Sequence, residues 1–177
     1  MSQIITVPHP LLRQKSQPVS LASANQISKL IKELTQVLVE TKNPAGVGLS
    51  AVQIGQPLRI FLARPSIKDE PQVFINPGII WQSKKMTDGI PDKPVNNLEG
   101  CLSVPGYHGL VQRHQEIKLR YQTIHHSNHI SKFKDFLATV IQHEMDHLNG
   151  ILFIDRALEQ GNKLYKVQDG QFVETSL

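Results

Sequence analysis

The stretch QHEMDHLNG at residues 142–150 contains side chains that could hold a metal ion and use it. His143 and His147 are four positions apart, so on a helix both imidazoles point the same way and can bind one divalent ion. Glu144 would lie beside that ion, close enough to exchange a proton with water without being a ligand. The alternative is a buried helix whose histidines are satisfied by hydrogen bonds. Two histidines at this spacing, with an adjacent glutamate, favour the metal site.

A catalytic metal site also needs a third protein ligand. The acidic residues downstream do not stand in a context typical of zinc peptidases; they are Asp155, Glu159, Asp169 and Glu174. Cys101, the single cysteine, lies upstream in EGCLSVPG, among turn-forming residues. A lone cysteine is usually a small buried hydrophobic residue, but a thiolate ligand explains this context better. With one cysteine the chain can form no intramolecular disulfide.

The helix that must position the two histidines is predicted over residues 134–148. One stripe of this helix combines apolar side chains with both histidines, namely Phe136, Val140, His143 and His147. The stripe directs the histidines inward, and Asn149-Gly150 provides the C-terminal stop.

Other elements must form the scaffold around that helix. A helix is predicted over residues 23–42, where Ser23 begins a capping-box pattern and Pro44 and Gly46 follow the end. Strands are predicted at residues 59–63, 72–75 and 116–121, with a closing hairpin at 164–174 that turns at Asp169-Gly170.

Turn-forming residues separate these elements. Asn76-Pro77-Gly78 is expected to end the second strand, and residues 81–98 to form a long surface loop. The expected architecture is an α+β fold, with mainly antiparallel strands around a buried central helix that carries HEMDH, plus one N-terminal amphipathic helix.

The composition fits one globular domain. Of the 177 residues 40% are hydrophobic and 19% charged, which is enough to build a core. No apolar run approaches the ~20 residues that span a membrane, and the N-terminal stretch MSQIITVPHP lacks the regions of a secretory signal. The net charge of +4 is mild and scattered, so neither a membrane nor a specific nucleic acid is predicted as a partner.

Three motifs together resemble the signature motifs of the peptide deformylase family. They are GVGLSAVQ at 46–53, EGCLSVPG at 99–106 and QHEMDHLNG at 142–150, in the family's order and with similar separations. Residues 7–20 also resemble the N-terminal segment of the family. The resemblance implies a single catalytic domain over residues 1–177, in the cytoplasm, that removes the formyl group from N-formylmethionine of newly made polypeptides.

The resemblance also implies roles for the residues of the site. Cys101, His143 and His147 would hold one divalent metal ion per chain, with water as the fourth ligand. The family favours Fe2+, with Zn2+, Ni2+ or Co2+ as alternatives. Hydroxide on the metal would attack the formyl carbon, with Glu144 as general base and then acid. Donors to the resulting oxyanion would be the Gln53 side-chain amide and the Leu102 backbone N–H.

A substrate groove and a supporting ion pair follow from the same comparison. Residues expected to bind substrate are Gly46, Val47, Gly48, Gly100, Val140 and His108. Glu99 and Arg113 would form a supporting pair behind the cysteine loop. The alternative is an exposed ion pair, which would contribute little to stability. The predicted partners are N-formylmethionyl nascent polypeptides and the ribosome.

Several residues depart from the usual family pattern or stay open. Ser50 stands where alanine is usual, and His108 where arginine is often found, which bears on substrate preference rather than chemistry. Asp146 is either surface charge or an acceptor behind the ligands. HHSNH at 125–129 is interpreted as a solvated turn rather than a second metal site. The chain after Asp155 is expected to be short and hairpin-like.

Two other classes of protein remain as alternatives. A general zinc peptidase shares the helix motif but not the cysteine ligand or Gln53. A structural zinc domain would coordinate the ion with four protein ligands and leave no open position, whereas this sequence offers three well-placed ligands.

Overall fold

The computed structural model describes residues 3–20, 24–42, 44–91, 97–125 and 127–176. Within these ranges there are three α-helices: α1 (Ala24–Glu40), α2 (Asp135–Leu148) and α3 (Phe153–Glu159). The same ranges contain nine strands: β1 (Gly48–Ser50), β2 (Ile60–Ala63), β3 (Gln72–Gln82), β4 (Glu99–Cys101), β5 (Val104–Gly109), β6 (Glu116–Gln122), β7 (Asn128–Lys134), β8 (Leu164–Gln168) and β9 (Gln171–Thr175). Short 3₁₀ helices occur at Pro10–Arg13 and Ala51–Ile54.

The strands form two antiparallel sheets. One sheet has the order β1-β2-β3-β6-β7, and the other has the order β4-β5-β8-β9. The α+β prediction with mainly antiparallel strands around a central helix is confirmed. None of the helices in the described residues is both long and apolar enough to cross a membrane.

Helix α1 forms because its apolar residues recur at helical spacing and can all be buried on one side. Those residues are Ile27, Leu30, Ile31, Leu34, Val37 and Leu38, and they pack in one cluster with residues of β1 and β2. The predicted helix is confirmed over Ala24–Glu40, while its predicted cap, Ser23, lies outside the described residues.

Helix α2 is the buried centre of the molecule. Its side chains Ala138, Ile141 and Leu148 are fully buried, in a cluster with Phe61, Phe74, Ile117 and Leu119 of the five-stranded sheet. The predicted stop is confirmed, since Gly150 follows the helix with φ of 74°. A Cβ at Gly150 would lie 2.5 Å from the Arg13 carbonyl oxygen, so only glycine fits this turn.

The prediction that Asn76-Pro77-Gly78 ends a strand is wrong. Strand β3 continues through these residues to Gln82, and the register with β6 shifts between Ile75 and Gly78, as at a β-bulge. Asn76 has φ of 48°, and its side chain accepts from the Val19 N–H at 2.8 Å and donates to the Val19 carbonyl at 2.9 Å. These hydrogen bonds stabilise a backbone conformation that asparagine tolerates.

The C-terminal part of the chain follows the prediction only partly. Helix α3 spans Asp155 before the hairpin starts, so the segment is not hairpin alone. The hairpin itself is confirmed as β8 and β9. Asp169 and Gly170 have φ of 50° and 76°, as a type I′ turn requires.

Candidate metal centre

Cys101, His143 and His147 come together at the end of α2. One ligand atom from each lies within 4.8 Å of the others, and this is the one such group among the described residues. The Cys101 Sγ is 3.1 Å from Nε2 of His147. The structure therefore brings together the three ligands predicted from sequence, and it shows no comparable group at residues 125 and 127–129.

The cysteine reaches α2 because β4 ends in a tight turn. The β4–β5 register shifts between Gly100 and Cys101, and β5 begins three residues after Cys101, at Val104. Within the turn the Ser103 N–H donates to the Cys101 Sγ at 3.4 Å. This hydrogen bond holds the sulfur in the turn, on the side that meets α2.

His143 is oriented by a buried carboxylate. Its Nδ1 is 3.0 Å from Oε2 of Glu99. The same carboxylate accepts from Arg113, with Nε donating to Oε1 at 2.8 Å and Nη2 donating to Oε2 at 3.0 Å. Burial is the largest single effect and raises the pKa of Glu99, but the charges and hydrogen bonds of Arg113 and His143 together outweigh it and hold that pKa at about 2. An ionised Glu99 accepts a hydrogen bond from Nδ1–H of His143, which leaves Nε2 of His143 for a metal.

The Glu99–Arg113 pair is not the exposed ion pair considered from sequence. Both side chains are buried, and Arg113 also donates to Oδ2 of Asp146 at 2.5 Å. Asp146 accepts in addition from Nη2 of Arg156 at 2.8 Å. Asp146 thus belongs to the network behind His143. Sequence reasoning missed Arg156, because nothing near it indicates a partner ten positions away.

The electrostatics of the centre favour a cation. Burial lowers the pKa of His143, but hydrogen bonds to Cys101 and Glu99 raise it well above its usual value, so the metal-free site holds a proton. Burial and the charge on His143 lower the pKa of His147, which stays neutral as a ligand must. A divalent ion can replace the proton of His143, so the residues present fit a metal.

Glu144 lies beside the ligands and is almost fully buried. Burial raises its pKa to about 7, against the lowering effects of the His143 charge and the Ser50 hydrogen bond. The Ser50 hydroxyl donates to Oε2 of Glu144, a contact that sequence reasoning missed. A Cβ at Gly48 would meet the Glu144 carboxylate and lie 2.9 Å from Cγ1 of Val140. Glycine therefore lets β1 lie directly on α2.

Gln53 is held with its amide nitrogen toward the cysteine. Its Oε1 accepts from the Ser50 N–H at 2.8 Å, which fixes the amide orientation. Its Nε2 then donates to Oγ of Ser103 at 3.1 Å and lies 3.7 Å from the Cys101 Sγ. At 2% exposure Gln53 is not the surface amide that was its alternative interpretation.

Two sheet edges flank the metal centre. Among the described residues β1 pairs only with β2, and β4 pairs only with β5. Two of the residues predicted to bind substrate belong to these edges, since Gly48 lies in β1 and Gly100 in β4. Beside β1, Nη2 and Nε of Arg64 donate to the Gly46 carbonyl oxygen at 2.8 and 3.1 Å. A Cβ added at Gly46 would lie 3.5 Å from Cδ1 of Leu102.

The other residues expected to bind substrate have contacts of their own. Val47 and Val140 pack in the apolar cluster around α2. The ring of His108 lies over Gly100, where an added Cβ would be 3.1 Å from Nδ1. His108 also meets Phe172 of β9 edge-on, with ring centroids 5.2 Å apart.

Comparison with known proteins agrees with this centre. A sequence profile of the family described as polypeptide deformylase matches residues 1–163. The peptide deformylase of Phenylobacterium zucineum is 40% identical over 157 residues, which are 86% of this chain and 85% of that protein.

Solved structures give the same result. A peptide deformylase from Plasmodium falciparum superposes with a TM-score of 0.77 at 31% identity, covering 88% of this chain and 86% of that one. A class I type b peptide deformylase from Acinetobacter baumannii, with Met-Ala-Ser bound, has a TM-score of 0.76 at 31% identity, covering 88% of this chain and 99% of that one. Profile, sequence and structure agree over nearly the whole length, and the chain belongs to the polypeptide deformylase family.

Proposed function

We propose that residues 1–177 act as one catalytic domain that removes the formyl group from the N-formylmethionine of newly made polypeptides and releases formate. The observation that carries this proposal is the pairing of the Cys101, His143 and His147 cluster with a buried carboxylate, Glu144, beside it. Such a cluster offers three protein ligands, which leaves a coordination position open for chemistry.

The metal would be held by Cys101, His143 and His147. A thiolate with two imidazoles suits iron, nickel, cobalt and zinc, and we assign Fe2+ as the physiological ion because the family favours it. When bound, the ion supplies Lewis acidity and water acidic enough to react at neutral pH.

Glu144 would transfer a proton from the attacking water to the leaving amine. With a pKa raised by burial to about 7, its carboxylate accepts a proton from the attacking water near neutral pH. The resulting carboxylic acid gives that proton to the amine that leaves. Ser50 keeps Oε2 of Glu144 occupied, so the carboxylate cannot rotate freely during these steps.

The negative charge that develops on the formyl oxygen needs donors already in place. Nε2 of Gln53 is one, because the Ser50 N–H holds the opposite end of the amide. The Leu102 backbone N–H is the second, and it follows directly after the ligand Cys101. In the free protein Nε2 of Gln53 donates to Oγ of Ser103, so the oxyanion would take over or share this donor.

The substrate would lie as an added strand between β1 and β4, since each presents an unpaired edge to the centre. The methionine side chain would enter the apolar region formed by Val47 and Val140. Met-Ala-Ser bound to the Acinetobacter baumannii relative supports a peptide as the substrate. Because formylated chains arise on ribosomes, the reaction belongs in the cytoplasm and the ribosome is the expected docking partner.

The deciding experiment uses formyl-Met-Ala-Ser with the metal-loaded protein. Formate should be released with Met-Ala-Ser left intact. A general zinc peptidase would instead cleave a peptide bond without formate, and a structural zinc domain would do neither; either result would refute the proposal.

A further inference from the structure

The C-terminal hairpin of β8 and β9 lies beyond the part of the chain that the family profile matches, which ends at residue 163. It nevertheless extends the sheet that carries Cys101, in the order β4-β5-β8-β9. Its apolar side chains Val167, Phe172 and Val173 are 50%, 39% and 40% exposed. An addition that joins the active-site sheet and displays apolar groups could contact substrate.

A cavity of about 320 Å³ opens between this hairpin and the segment that enters β4. Its apolar lining comes from both sides, from Leu98 and Leu110 on one and from Tyr165 and Phe172 on the other. Phe172 also touches the ring of His108, which covers Gly100 next to the metal ligand. The cavity is therefore connected to the metal centre through side chains in contact.

The direction of a bound peptide follows from the edge strand. A peptide with its formyl group beside Cys101 can pair with β4 only back toward Asn97, because the chain turns immediately after Cys101. An extended peptide advances about 3.3 Å per residue, so the four positions from Cys101 to Asn97 span about 13 Å. The fourth substrate residue then lies beside Asn97 and Leu98, at the cavity.

We propose that this cavity is a binding subsite for an apolar side chain on the fourth residue of the formylated peptide, with Phe172 as its specificity-determining wall. This rests on the proposed function, since it takes the peptide to be the substrate. Three of the seven described lining residues are polar, and each already has a partner. Asn97 donates to the Asp88 carbonyl at 2.6 Å, Asn162 donates to the Leu110 carbonyl at 3.0 Å, and Lys163 is paired with Glu174 at 2.6 Å. The side chains that remain to contact a substrate are those of Leu98, Leu110, Tyr165 and Phe172.

The test compares three substrates: formyl-Met-Ala-Ser, formyl-Met-Ala-Ser-Phe-Ser and formyl-Met-Ala-Ser-Asp-Ser. The wild-type chain should show a lower KM for the phenylalanine peptide than for the aspartate peptide. Phe172→Ala should raise KM for the phenylalanine peptide about 5- to 20-fold, the size expected for partial burial of one large apolar side chain. The KM for the tripeptide, which ends before the cavity, should rise far less than the KM for the phenylalanine peptide.

Val173→Ala is the matched control, because Val173 has nearly the same exposure on the same strand and does not line the cavity. Equal KM values for the two pentapeptides, or equal effects of the two substitutions, would overturn the subsite. If the tripeptide yields no formate either, the proposed function fails. Calorimetric binding of unformylated Met-Ala-Ser-Phe-Ser to wild type and Phe172→Ala then decides the subsite separately, and equal affinities would overturn it.

Discussion

Ser50→Ala should move the acid limb of the pH–rate profile to higher pH. The Ser50 hydroxyl donates to Oε2 of Glu144 and lowers the pKa of that carboxyl, which burial has raised to about 7. A hydrogen bond to a charged group contributes ~1.5–3 kcal/mol, and one pKa unit corresponds to ~1.4 kcal/mol. Because the hydroxyl also bonds the neutral acid, we expect a net rise of about one unit.

The consequence for rate follows from the ionised fraction of the base. Glu144 accepts a proton only when ionised, so activity rises as pH increases through its pKa. A rise of about one unit lowers the ionised fraction near pH 7 about five-fold, and the difference disappears about two units higher. A bound metal cation lowers the pKa in both proteins, so the difference between them is the quantity to measure. The backbone N–H of Ser50 still holds Gln53, which isolates the effect on Glu144.

The assay is kcat/KM for formyl-Met-Ala-Ser from pH 5 to 9, with metal content measured in each sample. Ser103→Ala is the matched control, because Ser103 is a fully buried serine at the same centre that contacts Gln53 instead of Glu144. Its acid limb should stay in place. An equal loss of rate at every pH in Ser50→Ala, or an unmoved limb, would refute the reasoning.

Further predictions concern four other side chains. Glu144→Ala should lower kcat by ~10²- to 10⁴-fold while the metal stays bound, since we propose Glu144 as a base and not as a ligand; parallel loss of metal would contradict this. His108→Arg should change KM more than kcat, because His108 covers Gly100 rather than the reacting atoms. Folding lowers the pKa of Glu99 from 4.5 to about 2, which contributes ~3 kcal/mol to the free energy of unfolding above pH 4.5, and this contribution is lost as pH falls toward 2. Urea unfolding of the metal-free protein measures this free energy against pH, and the Glu99→Gln variant should lack this part of the pH dependence. Protein loaded with iron should lose activity in air as Cys101 oxidises, whereas the iron-loaded protein kept without oxygen and the nickel-loaded protein in air should stay active. Equal decay of all three samples would exclude oxidation as the cause. The Cys101→Ser variant should bind metal more weakly than the wild-type chain.

The sequence predicted those parts of the molecule whose signals are local. The spacing of His143 and His147 and the apolar stripe of α2 lie within one helix, so the position of both ligands followed from periodicity. The Asp169-Gly170 turn likewise has a short-range signal. Cys101 was found because a thiolate explained an unusual context, which is a chemical rather than a structural signal.

The elements that were missed depend on contacts between distant residues. Strand β3 passes through Asn76 because the backbone at Val19 binds its side chain, and no local pattern records that contact. Strand β7 is mostly exposed, so it lacks a clear apolar alternation. The contact of Ser50 with Glu144 joins residues 94 positions apart. Such partners exist only once the two chain segments are packed together.

The two carboxylates nearest the ligands show why burial alone does not define a catalytic group. Glu99 and Glu144 are both 3% exposed, yet their pKa values are about 2 and about 7. Burial raises both, and the difference is that Glu99 has the Arg113 guanidinium while Glu144 has a neutral hydroxyl. Glu99 therefore stays ionised and can only orient His143, whereas Glu144 can gain and lose a proton near neutral pH. Arg113 donates to Glu99 and to Asp146, and among the described residues it forms no ion pair with Glu144. Its charge therefore lowers the pKa of Glu144 less than burial raises it, so the proposed base and the orienting carboxylate differ in protonation near neutral pH.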